Sequence, residues 1–194
     1  MREVREEVVG GVRGRVLEIG AGTGLNFPYY REGEVELVVA IEPDPFMLRR
    51  AKPRAGSRGA LIELRQASAA ELPFEDAAFD AIVCTLVLCS VEDQGEVLAE
   101  MYRVLRPGGQ LRFYEHVRSD NGPGGFCQDA VTPVWHRLFA GCHPNRNTTQ
   151  AIRSSGFEIE EVVFSKVGPP VPPPALVRPH VRGVARRPTS RRDH

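Results

Sequence analysis

The chain has no excess of charge: 25 acidic side chains balance 25 basic ones across 194 residues. A neutral surface gathers neither nucleic acid nor an anionic membrane, so neither is expected as a partner. No apolar run approaches the ~20 residues that span a bilayer. The opening Met1-Arg2-Glu3-Val4-Arg5-Glu6-Glu7 is too charged for a signal peptide. Cysteine is scarce. Cys84, Cys89, Cys127 and Cys142 form no C-x-x-C pair, and two of them fall in an apolar strand region. They read as reduced thiols of a cytoplasmic protein rather than as disulfides. No segment repeats. The arginines from Arg178 onward have no interleaved aromatic that could stack on bases. What is left suits one domain, residues 1–187, followed by a disordered tail, 188–194.

What is present is a glycine corner. Arg15-Val16-Leu17-Glu18-Ile19 is a short strand-type run that breaks into Gly20-Ala21-Gly22-Thr23-Gly24. Glycine admits positive φ and lets a ligand approach where a Cβ would collide. A strand ending in such a turn is the nucleotide-binding corner of an open α/β sheet. Glu42 closes a second apolar run, Leu37 to Ile41. An acid there is placed to accept hydrogen bonds from both hydroxyls of a ribose. A dinucleotide fingerprint reads G-x-G-x-x-G; here position 25 is Leu and the third glycine, Gly24, comes one place early. That spacing argues against a Rossmann oxidoreductase.

Along the chain, residues 1–14 read as a short amphipathic helix carrying Val4 and Val8 and stopped at Gly10-Gly11. Strands are expected at 15–20, 36–42, 61–65, 79–84 (continuing toward Val91) and 110–117. A weak helix should run from Gly24 through Tyr30. Another follows Pro43-Asp44-Pro45, with Asp44 as cap. Val97, Leu98, Met101, Val104 and Leu105 mark a helix over 93–105 with one buried face, stopped by Pro107-Gly108-Gly109. Beyond a loop at 118–126 come helices near 127–140 and 147–155. A strand follows over 157–167, then a proline-rich turn at 168–174, and Val177 to Arg187 pairs back antiparallel. Regular strand–helix alternation predicts an α/β fold: a Rossmann-like, doubly wound, mostly parallel seven-stranded sheet with a C-terminal antiparallel hairpin.

The G-x-G-x-G corner after an acidic strand resembles motif I of class I S-adenosylmethionine-dependent methyltransferases. With Ile41-Glu42-Pro43-Asp44-Pro45, Leu72-Pro73-Phe74 before Phe79-Asp80, and Val104 to Gly109, it is similar to the ubiquinone/menaquinone-biosynthesis-type methyltransferase domain. Four further stretches resemble bacterial relatives of the methyltransferase-like alkyl-thiol methyltransferases. They are Thr85 to Val91, Glu115-His116-Val117, Gly141-Cys142-His143-x-x-Arg146 and Val177-Arg178-Pro179-His180. The resemblance spans residues 14–187. It implies a methyl donor, S-adenosylmethionine, leaving as S-adenosylhomocysteine, and a longer N-terminal lid than the short helix here. Gly20, Ala21, Gly22 and Gly24 would line its methionine and ribose. Glu42 would hold the ribose; Pro43 and Met47 would flank the adenine. Ser68 and Ala69 stand where many members carry an acid facing the adenine amino group. Thr85, beside Leu86, would offer backbone to the methionine amino group, and Glu18 would help hold that ammonium through water.

Methyl transfer from a sulfonium is an in-line displacement whose donor is already activated. The protein must chiefly align the partners, and a thiol acceptor needs little help losing its proton. His116, at the end of a strand, is the candidate base. Cys89 and Trp135 are candidates to line the acceptor's pocket, although Trp135, with Val131 and Leu138 at helical spacing, reads equally as core. Cys142-His143 lacks the further ligands of a zinc site, so no metal is expected. The expected reaction is methyl transfer to a small molecule, an apolar thiol first. N-, O- or C-methylation of a natural product or quinone-like ring is the alternative, and a catalytically silent S-adenosylmethionine-binding protein the alternative of another class.

Overall fold

The computed structural model describes residues 1–56, 59–120, 122–139, 141–167 and 178–189. The expected proline-rich turn and the last residues of the expected tail lie outside them. Seven strands form one sheet: β1 (Gly14–Ile19), β2 (Val35–Ile41), β3 (Ile62–Arg65), β4 (Phe79–Thr85), β5 (Leu105–His116), β6 (Glu158–Lys166) and β7 (Pro179–Arg186). Their order is β3-β2-β1-β4-β5-β7-β6. Pairings from β3 through β5 are parallel, and β7 runs antiparallel to both β5 and β6. The fold class is therefore the expected one, with its sheet order reversing between β1 and β4, where such sheets bind ligands.

β1 shows why the sheet is central. Val16, Leu17, Glu18 and Ile19 are all buried, as in a parallel strand covered on both faces. Leu17 and Ile19 pack with Leu98 and Met101 of α3 (Gln94–Val104). Val16 points the other way, into a cluster with Val8 and Val9 of α1 (Arg2–Val9) and Ala51 of α2 (Pro45–Ala55). Sequence chemistry starts the helices as expected. Asp44 accepts from the Phe46 N–H at 2.7 Å, and Asp93 caps α3 through Gly95 at 2.6 Å and Glu96 at 3.2 Å. Beyond β5 come α4 (Gly122–Leu138), longer at its start than expected, and α5 (Thr148–Ser154).

Three expectations are corrected. The helix expected from Gly24 to Tyr30 is only a 3-10 turn, Phe27–Tyr29. Gly24 sits at φ +77°, outside helical space, and Pro28 has no N–H to give. The strand expected to continue toward Val91 stops at Thr85, because Leu86 turns to φ +59° and the next three N–H groups leave the ladder for a side chain, described below. Finally, no loop separates α3 from β5. The chain passes directly from Val104 into strand at Leu105, which pairs with Phe79 before a bulge.

Candidate active site

The corner is closed by Glu42. Its Oε2 accepts from the Gly22 N–H at 2.8 Å and its Oε1 from the Asp44 N–H at 3.1 Å, so the carboxylate joins the tips of β1 and β2. Each oxygen keeps acceptor capacity for another donor. The glycines differ in what they are for. A Cβ on Gly20, at φ +65°, would stand 2.4 Å from Val87 Cγ2, and one on Gly24 would strike the Phe27 ring. Those two are glycine for the protein's own packing. Gly22 faces nothing within 4 Å and leaves the opening a ligand needs.

A cavity of about 620 Å³ opens at this corner, within the ~300–1,000 Å³ range of small-molecule sites. Of the expected cofactor residues it gathers Gly20, Pro43, Ser68 and Ala69, walled by Ile41 and Val87. Met47 is not in its wall; it lies on α2, 38% exposed. Ser68 Oγ accepts from the Ala70 N–H at 3.2 Å, a local turn that leaves the hydroxyl hydrogen free to donate. Leu86, a non-glycine residue at positive φ, holds strained backbone at the tip of β4, the kind of place where function fixes conformation. Glu42 and Gly22 are also outside the cavity's wall, at the corner beside it; cavity and corner together fit an adenosyl group, with apolar walls, a carboxylate with spare acceptor sites and an uncluttered glycine.

Below the corner, Glu18 is buried in a polar network the sequence did not reveal. It accepts from Asn26 Nδ2 at 3.0 Å and from the Tyr30 hydroxyl at 2.8 Å. Asn26 also donates to Thr85 Oγ1 at 3.0 Å and accepts from Arg5 of α1. Burial pushes the Glu18 carboxyl up to about 7, against its hydrogen bonds to Tyr30 and Asn26 and the charge of Arg5.

The end of β5 builds the other half. Glu115 is wholly buried; it accepts from the N–H groups of Val87 at 3.0 Å, Leu88 at 3.1 Å and Cys89 at 3.1 Å. Burial raises its pKa while those N–H groups lower it. His116, pointing to the opposite face, turns Nδ1 toward two sulfurs. Cys89 Sγ and Cys142 Sγ each lie 3.5 Å away. The Cys142 thiol is pushed down, first by its hydrogen bond with Cys89 and then by His116 and the Trp135 indole N–H, against burial. Cys89 is pushed up by its interaction with Cys142 and by burial. Across the sheet His180, in register with His116, donates Nδ1–H to the Arg178 carbonyl at 2.7 Å. Burial holds its pKa down at about 4.

The structure thus brings His116, Cys89 and Trp135 together and adds Cys142, which sequence reasoning had paired with its neighbour His143. His143 instead donates its backbone N–H to the Cys89 carbonyl at 2.6 Å. Glu115, Asn26, Tyr30 and Arg146 went unmarked as site residues. Glu115 carried a signal as an acid in the register of a buried strand face, and Arg146 only as part of a resembling stretch.

A doubly wound sheet with a glycine corner, a ribose-height acid and an antiparallel last hairpin defines a class I methyltransferase architecture. The chain matches the family described as "Methyltransferase domain" over residues 17–113. It is similar to human thiol S-methyltransferase TMT1A, 38% identical over 174 residues, which cover 88% of this chain and 69% of that protein. Among solved structures it resembles the N-methyltransferase NodS from Bradyrhizobium japonicum, crystallised with S-adenosylhomocysteine. That match has a TM-score of 0.71 at 20% identity and covers 96% of this chain and 87% of that one. It also resembles the [4+2]-cyclase SpnF, with a TM-score of 0.73 at 20% identity over 97% and 80%. The chain belongs to the S-adenosylmethionine-dependent methyltransferases and is an enzyme.

Proposed function

We propose that this enzyme, a single domain over residues 1–187 acting in the cytoplasm, methylates the sulfur of a small apolar thiol. The observation that carries the reading is the 38% identity with a thiol S-methyltransferase. That match extends across 88% of the chain, well past the 17–113 segment common to methyltransferase domains. It therefore includes the segment after β5 that supplies Trp135 and Cys142. None of the described helices is long and apolar enough to cross a membrane.

In this reading Gly20, Ala21, Gly22 and Gly24 follow the methionine and ribose, and Glu42 accepts from the ribose hydroxyls. Pro43, Ser68 and Ala69 enclose the adenine, and Met47 contributes from the α2 side. Thr85 and Leu86 present backbone to the methionine amino group, with Glu18 behind them. The cofactor supplies a methyl group on a positively charged sulfur. The protein's share is to hold the acceptor in line, which is worth up to ~7–11 kcal/mol in model reactions, and to keep water out. His116, Cys89 and Cys142 form the polar end of the acceptor's site, where the thiol loses its proton, with Trp135 as wall.

Labelled S-adenosylmethionine with a panel of alkyl thiols, phenols and amines tests this. Methylated thiols are expected. Turnover confined to phenols or amines would sink the thiol reading while leaving the methyltransferase intact.

A further inference from the structure

Cys89 Sγ and Cys142 Sγ stand at the same 3.5 Å from His116 Nδ1, and all three atoms lie within 4.8 Å of one another. One ring nitrogen offers one in-plane hydrogen or one lone pair, so two equidistant sulfurs share it only in a weak three-centre contact. A cation between them serves all three. With zinc–thiolate bonds of ~2.3 Å and zinc–imidazole bonds of ~2.0–2.1 Å, a tetrahedral centre has a sulfur–nitrogen edge of about 3.6 Å. That edge matches both separations. We propose that Cys89, His116 and Cys142 are the three protein ligands of a thiophilic divalent cation, zinc by its donor set, with the fourth position open to the acceptor's thiol. The three ligands stand by themselves; the fourth-position clause rests on the thiol reading above.

Two sulfurs and an imidazole select zinc over the hard cations that prefer oxygen. Three protein ligands with one vacancy is the pattern of reactive rather than structural zinc. The ligands are held in advance. Glu115 fixes the Cys89 N–H at 3.1 Å, and the Cys89 carbonyl accepts from His143 beside Cys142. Arg146 clamps the same loop through the carbonyls of Leu88 at 2.8 Å, Val91 at 2.6 Å and Glu92 at 3.0 Å. Trp135 Nε1 is buried with no hydrogen-bond partner among the described residues, a donor left over for a ligand sulfur. Outer donors of this kind orient and tune metal ligands. A thiol entering the vacancy releases its proton to solvent and binds as thiolate. Its lone pair then forms the new S–CH3 bond as the sulfonium C–S bond breaks, that bond's electron pair remaining on the departing thioether.

The test uses the full chain, reduced, stripped with a chelator and titrated with cobalt(II). Stoichiometric uptake is expected, with the visible bands of tetrahedral cobalt and thiolate charge transfer in the near ultraviolet, both abolished by added zinc. Cys89→Ser and Cys142→Ser should each lose about half or more of the charge-transfer intensity, and the double variant all of it, whereas Cys127→Ser, at an exposed thiol, should keep it in full. Calorimetry with S-adenosylmethionine reports whether each variant is folded. If the serine variants fail that check, Trp135→Phe decides, with zinc affinity expected to fall about tenfold and an unchanged affinity counting against the site. Absent bands, octahedral bands, or charge transfer undiminished in either serine variant overturn it. A short alkanethiol, and no amine of equal length, should shift the visible bands; insensitivity to thiol removes the fourth-position clause alone. Turnover confined to amines or phenols would instead refute the thiol reading and leave the cobalt spectra standing.

Discussion

Glu18→Gln should remove a pH dependence of stability that burial of this carboxyl creates. Glu18 is 1% exposed, and its folded-state pKa of about 7 compares with 4.5 for the free group. Between those values the folded protein binds a proton the unfolded chain has released. The slope of stability with pH is then negative: stability is greatest below about 4.5, declines through the window and levels off above about 7. At ~1.4 kcal/mol for each pH unit, the decline is ~3 kcal/mol. Glutamine preserves the network, its carbonyl accepting from Asn26 and its amide donating to the Tyr30 oxygen, but it cannot ionise. Urea unfolding of both proteins at several pH values from about 4.5 to 8 measures the difference, so other titrating groups cancel. The glutamine variant should gain ~3 kcal/mol relative to wild type between the ends of that range. Parallel curves would refute the reasoning, showing that Glu18 ionises in the fold without penalty. With S-adenosylmethionine present, the proposed contact with the cationic amino group adds a second signature: wild-type affinity rises with pH and the variant's stays level.

Glu42→Ala removes the acceptor for two backbone N–H groups and for the proposed ribose contact, so calorimetry should show S-adenosylmethionine binding weakened by ~1–3 kcal/mol. Unchanged affinity would show the ribose assignment is wrong. Gly20→Ala places a Cβ 2.4 Å from Val87 and should cost ~2 kcal/mol or more in thermal or urea unfolding. Adding Val87→Ala should restore part of that loss, whereas simple additivity would mean backbone strain alone is responsible. Glu115→Ala strands three N–H groups, two of them buried, and should destabilise the protein by ~3 kcal/mol. A variant that melts with wild type would mean the turn after β4 holds itself.

The sheet was legible because its determinants are local. Glycines with an acid one strand away, Asp44 before Pro45 and the periodic face of α3 each act over a few residues, and each states its structure in the one-letter code. Leu86 was not legible. Its positive φ comes from no local preference for it; it follows from Glu115, distant in sequence, drawing the N–H groups of Val87, Leu88 and Cys89 out of the ladder. The run Thr85 to Val91 is apolar enough to continue as strand, and only a tertiary partner ends it. Cys142 failed to register for a similar reason. Its partners come from β5 and the turn after β4, and adjacency in sequence to His143 was a misleading guide. The glycine spacing was legible, but not that a Cβ at Gly20 or Gly24 would also collide with Val87 or Phe27, contacts made across the fold.

Glu115 and His116 explain why the cofactor corner and the sulfur cluster sit where they do. Consecutive residues on a strand face opposite sides, so one strand end can act on both faces at once. Toward one face Glu115 gathers the turn after β4 and sets Val87 against Gly20 at the cofactor corner. Toward the other His116 receives Cys89, from that same turn, with Cys142. The turn 86–89 is therefore shared: its shape fixes the cavity wall through Val87 and the sulfur position through Cys89. Neither half can move independently of the other. A displaced Glu115 would loosen the cofactor corner and the proposed acceptor site together, which is the coupling an in-line displacement needs, because its rate depends on the distance and angle between two molecules held by one scaffold.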